Sequence, residues 1–62
     1  MNLEGLNKEE LKELKMCINT MINERLKYTY METNEERLKI NKKFLDVDYE
    51  LLRQVIEVLE NE

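Results

Sequence analysis

Apolar side chains recur at seven-residue intervals in the second half of the chain, at Leu38, Leu45, Leu52 and Leu59. Phe44, Leu51 and Val58 stand immediately before three of them, and Ile40, Tyr49, Val55 and Ile56 fill in around the row. Seven residues are two turns of a helix with about 3.6 residues per turn, a period that a half-buried strand does not produce. The pattern therefore predicts a helix over about residues 34–60. Its apolar positions sweep roughly 200° of the circumference, twice the stripe that a surface helix usually carries.

The first half reads as a helix over about residues 8–30 with a narrower stripe: Leu11, Leu14, Ile18, Met21, Ile22 and Arg25. Asn7 is placed to cap it, Glu10 to complete a capping box, and Leu6 and Leu11 to close a hydrophobic staple. Glu9 and Glu10 in the first turn suit the positive end of the helix dipole. The segment Tyr28-Thr29-Tyr30-Met31 is poorer in helix formers, which puts the turn at about residues 31–34. Thr33 is then the expected cap of the second helix, with Glu36 completing its capping box. Helices joined by so short a connection run antiparallel.

In such a hairpin, residues whose numbers sum to about 65 face each other. Leu14 then meets Leu51 or Leu52, Ile18 meets Asp48, Met21 meets Phe44 or Leu45, and Tyr28 meets Leu38. Asn41 and Asp48 fall inside the apolar arc, where an unpaired carboxylate is costly. Two readings follow. Either the helix runs straight through, as the seven-residue register does, or it breaks near Asp46–Asp48. In the second case Asp48 caps a third helix over residues 49–60, with Val47 and Leu52 as its staple. Arg25 occupies a stripe position where leucine is expected. It either snorkels along its neighbours or pairs with a buried carboxylate or Asn41 and fixes the register.

Size sharpens the significance of the wide arc. A chain of 62 residues buries only about 60% of its unfolded surface and usually needs a disulfide, a metal or an oligomer contact. Cys17 is the only cysteine and there is no histidine, so an internal disulfide and the commonest zinc ligand are both excluded. Oligomerisation is the remaining route. The fold expected is all-α: an antiparallel helical hairpin that dimerises into a four-helix bundle. Leu38, Leu45, Tyr49, Leu52, Ile56 and Leu59 are the expected oligomer or partner interface.

Charge and candidate chemistry narrow the function. The net charge of −4 lies wholly in the second half, mostly after Asp46, with Arg37, Lys39, Lys42 and Lys43 forming a basic block just before it. Asp46, Glu50, Glu57 and Glu60 make a charged contact face able to imitate a nucleic-acid backbone. Asp46, Asp48 and Glu50 lack the glycine turn and distant glutamate of a calcium loop. Without histidine no Ser-His-Asp or Cys-His set can be assembled, and no glycine-rich phosphate loop exists. Cys17, at the edge of the first stripe, reads as filler. No enzyme activity, cofactor or metal is expected. No apolar run approaches the roughly 20 residues of a membrane span, and the start lacks the basic and apolar blocks of a signal peptide. The expected compartment is the cytoplasm.

Two resemblances bear on alternatives. Lys8, Lys12, Lys15, Asn19, Asn23 and Lys27 form a cation-and-amide row along the first helix. In architecture and length the chain resembles the plasmid copy-number RNA-binding hairpins, which implies contact with paired RNA. The stretch Asn34-Glu35-Glu36-Arg37-Leu38-Lys39-Ile40, continuing to Asp46, resembles the second helix of the small sporulation-type aspartyl-phosphate phosphatases. Their Ser-Gln-Glu-Leu-Asp hallmark is replaced throughout by Asn41-Lys42-Lys43-Phe44-Leu45. That resemblance implies a non-catalytic relative that docks a response regulator. The leading expectation is a non-enzymatic regulator or inhibitor, of the small phage- or mobile-element-encoded kind, that binds a protein partner.

Overall fold

The computed structural model describes residues 3–61. Two helices, α1 (Lys8–Met31) and α2 (Glu35–Glu60), pack against each other as an antiparallel hairpin 42 Å long and about 16 Å across. No strand occurs among the described residues.

The start of α1 follows its sequence signals. Asn7 Oδ1 accepts from the Glu10 backbone N–H at 2.8 Å, and Glu10 Oε1 accepts from the Asn7 N–H at 3.0 Å. This reciprocal box satisfies two donors that the first turn would otherwise leave open. Upstream, the Leu6 N–H donates to the Leu3 carbonyl at 3.2 Å, and that turn folds Leu3 into the core.

The cap of α2 is Asn34, one residue beyond the expected Thr33. Its Oδ1 accepts from the backbone N–H groups of Glu36 and Arg37. Glu32 decides the shift. Its carboxylate accepts from the backbone N–H of both Thr33 and Asn34 and from the Tyr28 hydroxyl at 2.8 Å, which winds the connection into a tight turn. Those bonds, the Asn34 N–H first and the Tyr28 hydroxyl second, hold the Glu32 carboxyl below its usual range. A carboxyl depressed in the folded state contributes stability above its unfolded value and loses it as pH falls through the folded one. Acid is therefore expected to loosen the turn, beginning just below the ordinary glutamate range. Protection of the Thr33 and Asn34 amides, measured relative to their intrinsic exchange rates, should fall there, and Glu32→Gln should flatten that pH dependence.

α2 passes through Asp46–Asp48 without a break, so Asp48 is a helical residue and no third helix starts at residue 49. Its carboxylate is only 6% exposed because Arg25 Nε donates to it at 2.5 Å. Ile18, expected to face Asp48, is buried as Asp48 is, and the carboxylate takes Arg25 as its cation from a different level. Side chains lean toward the N-terminus of their own helix. In an antiparallel pair, Arg25 and Asp48 therefore converge although their Cα atoms sit at different levels. Asn41 is buried beside them and donates to the Arg25 carbonyl at 3.1 Å and to the Thr29 hydroxyl. Thr29 in turn donates to the Arg25 carbonyl at 2.8 Å. Among the described residues, no buried side-chain nitrogen or oxygen lacks a partner.

The core is thin. Leu3, Leu11, Ile18, Ile22, Leu45 and Val55 form it, with Leu14, Leu51, Leu52, Val58 and Leu59 packed half-buried around them. Of these, Leu11, Ile18 and Val55 are sealed completely.

Candidate docking face

The polar contacts at Arg25 rotate α2 relative to the expected seam. Asp48 and Asn41 must point at α1 to meet Arg25 and Thr29, which swings the buried side of the helix toward Asp48 and Val55. Leu45, expected at an interface between copies, is consequently a core residue of the single hairpin. Leu38, Leu52, Ile56 and Leu59 are half-buried rather than free. Of the six expected interface residues only Tyr49 is truly exposed, on the flank away from the face described next.

The same rotation brings a different row to the surface. Ile40, Phe44 and Val47 are 54%, 49% and 60% exposed, and half-buried Leu51 continues their line. On α1, Met21 and Tyr28 are 42% and 47% exposed. Met21 was expected to pack on Phe44 or Leu45 inside the hairpin, and Tyr28 on Leu38. Instead Ile22 takes the inward place, and Tyr28 directs its hydroxyl to Glu32. A groove between the helices is lined by Arg25, Tyr28, Arg37, Ile40, Asn41 and Phe44, so both helices contribute to one side of the hairpin. Val47 and Leu51 extend that side into a shallow depression with Asp46, Glu50 and Gln54. The Arg25 guanidinium lies over the Phe44 ring, 4.9 Å from its centroid, and ties the face to the buried ion pair beneath.

The expected acidic face is partly neutralised. Arg53 reaches Glu50 and Glu57 on its own helix, one turn to either side. The hydrogen bond from Arg53, then that from Gln54, lowers the Glu50 carboxyl, and the same carboxylates raise Arg53. Asp46 and Glu60 stay exposed. Along the lysine row of α1, Lys12 pairs with Glu9 and Lys27 with Glu24. Lys8, Lys12, Lys15 and Asn19 border a shallow groove with Met16 and Leu59. Cys17 is a free thiol and exposed, so it does not fill the core as expected. Helix geometry places it on the flank of α1 that carries Met21 and Tyr28.

Among the described residues, no three histidine, cysteine or carboxylate side chains are grouped to hold a metal ion, and no helix is long and apolar enough to cross a membrane. Met21, Tyr28, Ile40, Phe44 and Val47 leave an apolar surface exposed on one side of the hairpin. No protein-family model, curated protein or solved structure matches this chain.

Proposed function

We propose that this protein is a non-enzymatic helical interaction module that pairs with a second copy and regulates or inhibits a protein partner. One observation carries the reading: Met21, Tyr28, Ile40, Phe44 and Val47 lie uncovered on a single side of the hairpin. Their exposed fractions amount to about 500 Å², the scale of the largest apolar patch on a monomer, which is often functional. Two such faces together remove roughly 1,000 Å² from water, the size at which specific interfaces begin. The thin core supports the same reading, because association is one of the ways in which a small fold adds to a limited core.

The partner that is regulated meets the surfaces that pairing leaves outside, among them the exposed carboxylates Asp46 and Glu60 on α2. Sedimentation equilibrium tests the pairing directly. The native chain is expected to sediment at twice its monomer mass. Ile40→Glu, a change at an exposed position, should sediment as a monomer with its helical circular dichroism intact. A strict monomer at the highest soluble concentration of the native chain overturns the proposal.

A further inference from the structure

We infer that the two copies stack with their turns at opposite ends, α2 lying antiparallel on the partner's α2 about a twofold axis that crosses the helices between Leu45 and Asp46. This rests on the self-association proposed above, and two independent features of α2 carry it.

The first is spacing. The row formed by exposed Ile40, Phe44 and Val47 and half-buried Leu51 has steps of four, three and four residues, so it reads the same in both directions. A twofold contact uses one patch on both partners, which must be complementary to itself after rotation. Turned end over end on its own copy, this row sets Phe44 against the partner's Val47 and Ile40 against the partner's Leu51. The axis that does this on α2 falls at the level of Met21 on α1, the central apolar residue of that flank. One rotation therefore closes both helices of the face at once.

The second is charge. Before the midpoint of α2, Arg37, Lys39, Lys42 and Lys43 outnumber Glu35 and Glu36. After it, Asp46, Glu50, Glu57 and Glu60 outnumber Arg53, with Asp48 already engaged by Arg25. The same polarity runs along the face. Arg37, with Glu32 beside it, borders the groove near the turn, whereas Glu50, with Arg53 beside it, borders the depression around Val47. Stacking the hairpins with both turns at one end places Arg37 level with its own copy and groups the acids at the other end. Reversing one hairpin lays each basic half over an acidic half and brings Lys43 across from the partner's Glu50. Opposed signs across an interface fix orientation more than they add affinity.

A single spin label at the turn distinguishes the arrangements. Thr33 is exposed, and its side chain lies outside the face. The variant Thr33→Cys, in a Cys17→Ser background that leaves one thiol, is labelled with a nitroxide and measured by double electron–electron resonance. Turns at opposite ends predict a separation on the order of 35 Å, the rise of some two dozen helical residues. A distance of about 20 Å or less, the span of neighbouring helix ends in a bundle, overturns the orientation while leaving the pairing intact. No dipolar signal, together with a monomer mass for the labelled chain, overturns the pairing and the orientation with it.

Discussion

Arg25→Met is expected to cost about 3 kcal/mol, toward the low end for a broken buried pair because the guanidinium retains some contact with water. The variant leaves the Asp48 carboxylate, 6% exposed, without its cation. It also removes the guanidinium from the Phe44 ring. Against a total of about 3–9 kcal/mol for a chain of this length, such a loss removes a third or more of the stability. Urea denaturation followed by circular dichroism measures it. The companion variant Arg25→Met/Asp48→Leu should recover most of the loss, since an ion pair exchanged for apolar residues of similar size is often neutral or better. A double variant as unstable as the single one would mean that Arg25 acts through packing and not through Asp48. If the pair sets the rotation of α2, the recovered variant should also bury Phe44 or Val47 more deeply and associate less well.

That rotation marks where the amino-acid pattern stops being informative. Seven-residue periodicity, the Asn7–Glu10 box and the poor helix formers before residue 31 are local signals, and local signals suffice for two helices and a turn. An apolar arc of roughly 200° is different, because it is compatible with several rotations of α2 about its own axis. Choosing among them requires knowing which polar residues in the arc are satisfied from the other helix. Arg25 and Asp48 were both conspicuous in the sequence, yet their Cα atoms are not level across the hairpin. Facing rules built on Cα level miss a contact made by two side chains that lean toward one another. Exposure on α2 differs from the expected pattern for that reason: Leu45 lies inward, and Ile40, Phe44 and Val47 lie out. The cap of α2 moved from Thr33 to Asn34 for a different one: three hydrogen bonds to Glu32, all from residues within four positions of it, shape the turn.

Two valines of α2 separate folding from association. Val55 is completely buried and Val47 is 60% exposed, although both are apolar residues on one helix. Val55→Asp places a carboxylate in the apolar core that Leu11 and Ile18 also build. Burial without a partner costs several kcal/mol even after relaxation, comparable to the whole stability of so small a fold. The chain should lose its helical circular dichroism and its cooperative thermal transition. Val47→Asp is expected to keep both, because exposed substitutions usually shift stability by about 0.5 kcal/mol or less. What it should lose is the second copy, since the new carboxylate lies in the centre of the proposed contact and would face the partner's Phe44. Helical signal read beside sedimenting mass tells the outcomes apart. Retention of the dimer by Val47→Asp would move the association surface off this face, with Tyr49 and the opposite flank as the remaining apolar exposure on α2. Folding of Val55→Asp would mean that the hairpin core is not built around that residue.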